Sequence, residues 1–384
     1  MSAAAPAPGP NMGQPIPRVD AVAKVTGQAR YASDVPHARA AYAFMLLSTV
    51  GRGRIVSIDD TAARAVPGVL DIMTYANRPP VQSMQGMQIT SVVPLDGPEI
   101  HHDGQIIGFV TATTYEAARE AAYRMVVRYD RQQPSAVFDA PGVDQQLTAE
   151  ITKGTPMPKE DPKLGDADTE LARSAVSMDA HYATPTQHHN AIELFTTTAS
   201  WNGDELTIDG PSQFVFGLRA GVAQQLGIDP AKVHIRSEYL GGAFGGKGSI
   251  THRTVLTALA AKRIGRPVKL VSTRDQGFTI SGNRAETRHH VRIGTTQDGR
   301  ITALHHDIGN SARVPIPTAM AASTRRPRCM RFPPSRAPPI WCAPIATRRP
   351  SCARHPKCPS CSRSKARWTR WPRSSPWIPS SSGG

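Results

Sequence analysis

The charged residues divide this chain in two. Its 384 residues carry a formal charge of +15, yet residues 1–312 hold 30 basic and 30 acidic side chains. Residues 313–384 hold the other 15 basic residues and no acid, with all five cysteines, four of the five tryptophans and 14 of the 34 prolines. Only the first part has the composition and apolar periodicity from which a core can be built, and the length allows two or three domains. The second part runs without periodicity from a point between Val314 and Arg328. Taken literally, it is a basic arm, which gives one alternative: a nucleic-acid-binding protein with a basic C-terminal arm. The neutral first part argues against nucleic acid as a partner. Four tryptophans and five cysteines fit poorly with a solvated arm. Out-of-frame translation fits better, because codons for residues 352–371 can be chosen so that a one-base shift restores acids and a helical apolar pattern.

Residues 15 to about 131 read as a small α+β unit. Strands are expected at 41–47, 69–73, 105–110 and 126–129, with helices at 59–66, capped by Asp59 or Asp60, and at 115–125. A polar linker containing Pro and Lys follows over about 134–165. The second unit begins near Asp166, with strands at 178–183 and 194–201, a turn at Asn202-Gly203 and a strand at 205–209. A helix at 213–226, a strand at 233–240, a helix at 250–264 and a strand at 268–271 continue it. A hairpin of 287–294 and 301–308 around Gln297-Asp298-Gly299-Arg300 closes it. The opening 14 residues lack a basic and an apolar signal-peptide region and read as a flexible leader. No apolar run approaches the ~20 residues of a membrane helix, so no membrane span is expected, and a cytoplasmic location is.

Gly241-Gly242-Ala243-Phe244-Gly245-Gly246-Lys247 lies between the strand at 233–240 and the helix at 250–264. Glycines let the backbone approach a ligand and adopt positive φ. A loop opening a helix presents bare N–H groups and a positive dipole end, which suit an anion. Gly241, Gly246 and Lys247 match the spacing of a nucleotide-binding P-loop, but Gly248 stands where that motif needs a hydroxyl for Mg²⁺. That weakens a nucleotide hydrolase. A packed glycine turn with no ligand remains the alternative on this segment alone. The histidine doublets 188/189, 289/290 and 305/306 sit in strands, where neighbours point to opposite faces. They read as surface or core residues rather than chelating pairs. Cys352, Cys358 and Cys361 fall in the tail, whose composition argues against a metal site.

Several segments together resemble the large subunit of the xanthine dehydrogenase/aldehyde oxidase family of molybdenum hydroxylases. They are Arg18-Val19-Asp20 with 24–31, Ala65-Val66-Pro67-Gly68-Val69, and His102-Asp103-Gly104-Gln105 through Glu116-Ala117-Ala118. His188-His189 with Glu193, Pro211-Ser212-Gln213, the 241–247 loop, Gly265-Arg266-Pro267-Val268 and Arg274-Asp275 follow in the family's order. The resemblance implies an α+β fold. A hammerhead α/β domain occupies 15–133 and part of the first molybdopterin-binding α+β domain occupies 166–312, with a disordered or non-native tail at 313–384. It implies a molybdenum-pterin cofactor, as molybdopterin or its cytosine dinucleotide form, near Gln213, Gly242, Ala243, Phe244, Gly245 and Gly246. The Phe244-Gly245 peptide would lie closest to the metal, Gln213 would donate toward it, and no side chain would ligate it directly. The implied reaction is hydroxylation of an aldehyde or N-heterocycle with water as oxygen donor. FAD and [2Fe–2S] centres would sit on partner subunits. The family's general-base Glu belongs to a motif expected beyond the chain end, so no catalytic residue is retained and this chain is expected to be inactive. Xanthine-type enzymes place a substrate-binding Glu directly after the loop's Lys; Gly248 stands there, so an aldehyde is the expected substrate. The shifted frame of the tail would contain Phe-Met-Arg-Ala-Pro-Pro-Glu, which resembles a substrate-pocket segment of the same family.

Overall fold

A computed structural model of the protein describes residues 14–83, 93–134, 138, 144–147, 163–248, 252–310 and 322–330. The chain forms two compact units, one built mainly from 1–145 and 185–287 and the other from 146–184, 288–309 and residues from 324 on. The leader, most of the linker, and the shifted-frame segment lie outside the described residues.

The first unit contains α1 (Ala21–Val25), β1 (Ala41–Leu47), β2 (Gly53–Asp59), α2 (Thr61–Arg64), β3 (Val69–Thr74), β4 (Glu99–Ile100), β5 (Ile106–Ala112), α3 (Tyr115–Arg124) and β6 (Val126–Arg131). After β7 (Asp144–Leu147), α4 (Ala167–Arg173) and β8 (Val176–Thr184), it resumes with β9 (Gln187–His188), β10 (Thr196–Asn202), β11 (Glu205–Asp209) and α5 (Val215–Leu226). It ends through β12 (Val233–Arg236), α6 (His252–Ile264), β13 (Val268–Val271), α7 (Arg274–Ile280) and β14 (Asn283–Arg284). The second unit is α4 and β8 with β15 (Thr287–Thr295), β16 (Ile301–Asn310) and β17 (Ala322–Met330).

A seven-stranded sheet in the order β12-β11-β10-β13-β1-β5-β3 draws on both halves of the sequence. Its junction is the parallel pairing of Ala41–Ala43 with Val268–Leu270. Both strands are apolar on the face toward α6, and Ala41, Ala43, Val268 and Leu270 are fully buried. Residues 253–261 of α6 are buried all round, as befits a helix lying in a core. The indole N–H of Trp201 in β10 donates to the Ala258 carbonyl at 2.8 Å. On the opposite face, Phe44, Ile72 and Val110 pack against Ala118, Ala121 and Ala122 of α3. Thr114 caps that helix, accepting from the Ala117 N–H at 3.1 Å. A smaller sheet, β4-β2-β6, buries Ile55 and Ile100.

The α+β expectation holds, with differences in detail. Asp60 occupies the N-cap of α2 without a capping bond, pairing instead with Arg64, while Asp59 accepts from the Thr61 N–H at 3.0 Å. The strand expected over 233–240 stops at Arg236. β2 was not expected at all. In the second unit, β8, β15, β16 and β17 form one sheet with β7 at its far edge. β17 pairs antiparallel with β16, from Leu304 opposite Met330 to Ile308 opposite Arg326. β7 falls within the expected linker and β17 within the expected tail. An open strand edge accepts an extended backbone through its ladder, with little regard to side-chain pattern.

Candidate functional site

The 241–247 loop leaves β12, which is fixed by parallel pairing with β11 and by the burial of Leu206, Ile208 and Val233. One carboxylate anchors both ends of the loop. Glu193 Oε2 accepts from the Gly241 N–H at 2.8 Å and from Lys247 Nζ at 2.6 Å. Lys247 Nζ also donates to the Glu193 carbonyl at 3.1 Å, and the Lys247 side chain is fully buried. Burial pushes the Lys247 ammonium below its ordinary pKa, and Glu193 pulls in the opposite direction. Gly241 is required by close approach, since a Cβ there would meet Glu193 Cβ at 2.5 Å.

Gln213, two residues ahead of α5, anchors the middle. Its Oε1 accepts from the N–H groups of Gly245 (3.1 Å) and Lys247 (3.3 Å), and its own N–H donates to the Lys247 carbonyl at 2.9 Å. The Gly246 N–H is used within the turn, donating to the Ala243 carbonyl at 2.8 Å. Among the described residues, the N–H groups of Gly242, Ala243 and Phe244 and the side-chain amide nitrogen of Gln213 donate to no acceptor. Gly245 has φ +101°, open to glycine; Phe244 has φ +53° and is 62% exposed. A non-glycine residue held in the left-handed region stores strain of about 1–3 kcal/mol, which marks functional turns.

Glu193 is itself held in place. Arg274, at the start of α7, donates to the carbonyls of Ala191 (2.6 Å) and Ile192 (2.7 Å). A capping box between Thr273 and Gln276 opens α7, and Gln276 Nε2 reaches the Met45 carbonyl in β1 at 3.0 Å. A cavity of about 20 Å³ beside Glu193, Phe195 and Arg274 has room for one water and no cofactor. Behind the loop, the Arg253 guanidinium stacks 4.1 Å over the Phe195 ring, and its Nε and Nη1 have no partner among the described residues. Burial pushes it down to about 9. Burial also pushes the neighbouring His252 down to about 4, with smaller contributions from His102 and Arg253.

The structure therefore brings Gln213 together with Gly242–Gly246. It adds three residues to the set: Glu193 and Arg274, which the sequence supplied only as family markers, and Arg253, which it did not single out. His189 packs beneath the loop, its Nδ1 3.0 Å from the Gly282 carbonyl. The donors are uncharged N–H groups on a rigid turn, and among the described residues no carboxylate or thiolate is directed at the same point. Such a set fits an oxygen-rich, anionic group and not a directly ligated metal ion.

Fold and site thus define a protein with a pinned glycine loop whose backbone N–H groups at Gly242, Ala243 and Phe244 have no acceptor among the described residues. Comparison with known proteins identifies the family. Residues 26–133 match the a/b hammerhead domain of aldehyde oxidase and xanthine dehydrogenase. Residues 151–324 match a molybdopterin cofactor-binding domain. The aldehyde oxidoreductase molybdenum-binding subunit of Escherichia coli K12 is 35% identical over 301 residues, covering 77% of this chain and 39% of that protein. The xanthine dehydrogenase/oxidase of Gallus gallus is 28% identical over 316 residues, covering 78% and 22%. Among solved structures, the aldehyde oxidoreductase of Desulfovibrio gigas superposes with a TM-score of 0.60 at 27% identity, covering 74% of this chain and 33% of that one. The chain belongs to the aldehyde oxidase/xanthine dehydrogenase family. It spans about two fifths of the length of the Escherichia coli relative. These relatives are oxidoreductases by name, which lends the nucleic-acid alternative no support. No described helix is long and apolar enough to cross a membrane.

Proposed function

We propose that this chain is the molybdenum-pterin-holding part of a hydroxylase that oxidises an aldehyde, with water as oxygen donor. The observation that carries the reading is the row of three N–H groups at Gly242, Ala243 and Phe244, left without acceptors on a turn pinned by Glu193 and Gln213. Gln213, Gly242, Ala243, Phe244, Gly245 and Gly246 would hold the cofactor, as molybdopterin or its cytosine dinucleotide form. When bound, the molybdenum-pterin group supplies the oxidising centre. The chain's own part is to donate hydrogen bonds from the 242–244 backbone and from the Gln213 amide, and to keep water away with the Phe244 ring. Because Gln213 Oε1 is committed to the loop, its amide nitrogen is left as the donor.

Gly248 lacks the carboxylate that would bind a purine, which supports an aldehyde. The domain division at 15–133, 134–165, 166–312 and 313–384, the FAD and [2Fe–2S] partner subunits and the cytoplasmic location rest on the family resemblance. Ile192, Phe214 and Phe216 are 89%, 59% and 72% exposed, apolar side chains suited to further protein.

The test is a chimera in which residues 14–310 replace the matching part of the Escherichia coli subunit, co-expressed with that subunit's own partners. An assembled chimera should hold about one molybdenum per complex and oxidise benzaldehyde but not xanthine. Gly245→Val, which forces a β-branched residue to φ +101°, should release the molybdenum. Assembly without molybdenum, or turnover of xanthine alone, would overturn the proposal.

A further inference from the structure

The histidine doublets are resolved across strands rather than within them. His289 and His290 of β15 point to opposite faces. His289 Nδ1 lies 3.0 Å from His306 Nε2 of β16 on one face. On the other, His290 Nε2 lies 2.8 Å from Asp179 Oδ1 of β8, and the His290 ring stacks on that of His181 at 4.1 Å and 10°. Asp179 and His181 are two residues apart, so they share a face of β8, and β15 is its neighbour in the sheet.

We propose that Asp179, His181 and His290 form a binding site for a divalent transition-metal ion of the zinc class, separate from the glycine loop. One ligand atom from each lies within 4.8 Å of the other two. Two imidazoles and a carboxylate make a donor set suited to zinc, with a fourth position open to water. Behind the set, Asp307 Oδ2 of β16 lies 3.9 Å from His290 Nδ1. A metal-bound histidine typically directs its second ring nitrogen at such a carboxylate. All four residues belong to the second unit.

Binding asks for a small rearrangement. Tetrahedral zinc, with bonds of about 2.0–2.1 Å, holds its donors about 3.3 Å apart. The ring stack opens by rotation about the Cβ–Cγ bonds, which brings both Nε2 atoms toward the ion. The metal takes the place of the proton between His290 Nε2 and Asp179, and the neutral tautomer keeps its N–H on Nδ1, facing Asp307. Metal binding to neutral imidazole weakens as acid protonates the rings.

The test uses the full chain with its cysteines alkylated, stripped with chelator and titrated with ZnCl₂ by calorimetry, then with CoCl₂ by visible absorption. One saturable zinc per chain and a tetrahedral cobalt spectrum are expected. His181→Ala and His290→Ala should each weaken zinc binding at least about 10-fold, and Asp307→Asn about 10-fold, in the range of loss of a supporting carboxylate. His289→Ala, on the other face, should leave it unchanged. His290→Gln, a close replacement in volume, repeats the His290 test should the alanine variant lose its far-UV circular dichroism. Absence of a saturable site, indifference to both His181→Ala and His290→Gln, or an equal loss in His289→Ala would overturn the proposal.

Discussion

The two sheets are held together by different means. In the seven-stranded sheet, β5 is buried over six of its seven residues and β1 and β13 are buried or half-buried throughout, with apolar side chains of β1 and β5 filling cores on both faces. β8, by contrast, is exposed over seven of its nine residues, and Met178 and Tyr182 remain 40% and 51% exposed. What joins the side chains of β8, β15 and β16 is polar, His290 with Asp179 and His289 with His306, and Arg292 of β15 pairs with Asp168 of α4. Apolar burial gives the first sheet its stability, at about 25 cal/mol per Å². Cross-strand polar pairs give about 0.2–1 kcal/mol each. The second sheet therefore tolerates chemistry on its surface that the first would not.

The sharpest way to break this contrast is to remove a large apolar side chain from each sheet. Phe109→Ala, at the fully buried centre of β5, should destabilise the first unit by about 3–5 kcal/mol. Met178→Ala in β8 should cost no more than about 0.5 kcal/mol. Urea denaturation followed by circular dichroism measures both, and equal losses would end the distinction.

The same contrast governs what the sequence made legible. β1, β5 and β13 are apolar runs bounded by glycine, proline or charge, and the Asn202-Gly203 turn fixes the β10–β11 hairpin, so these elements were readable. The parallel pairing of β1 with β13 was not, because no local pattern ties Ala41 to Val268. β2 was missed because a tight glycine turn runs straight into it, and α7 because Gly277 interrupts it and its start depends on a capping box. At the site, glycine density exposed the loop itself. The anchoring carboxylate did not show, since Glu193 and Lys247 stand 54 positions apart. The opposed faces of the histidine doublets were readable, but not their partners on neighbouring strands.

Ion pairs should repeat the contrast at a somewhat smaller scale. Glu193→Ala takes the carboxylate from the buried Lys247 ammonium, leaving it the residue-193 carbonyl alone, and leaves the Gly241 N–H without its acceptor. Breaking one side of a buried pair costs about 3–5 kcal/mol, less here by whatever relief comes from the lowered pKa of Lys247, measured by thermal unfolding at pH 7. Asp179→Ala removes a carboxylate that is 61% exposed and should cost no more than about 1 kcal/mol.

Acid should find the buried face of α6 next. His252 is held down at about 4, mainly by burial, against 6.5 in the unfolded chain. Between these values the unfolded state binds more protons than the folded state, so stability falls as pH drops from about 6.5 to about 4. The limit of that loss is about 3 kcal/mol. Urea midpoints measured across this window should show the slope, and His252→Leu should flatten it. An unchanged slope in the variant would place the acid-sensitive group elsewhere.

The smallest effect separates local from tertiary roles. Thr273 caps α7 and Asp166 caps α4, each accepting a hydrogen bond from the N–H three residues on. Replacing either by Ala should cost about 1 kcal/mol, because cap energies are local to the helix end. Their reach should differ. α7 carries Arg274, which holds the carbonyls of Ala191 and Ile192 and so sets Glu193 against Gly241 and Lys247. In Thr273→Ala, amide hydrogen exchange at Gly241 and Gly245 should quicken along with that of α7. In Asp166→Ala, exchange should quicken in α4 alone. Equal protection of the loop in both variants would show that Glu193 keeps its position without α7.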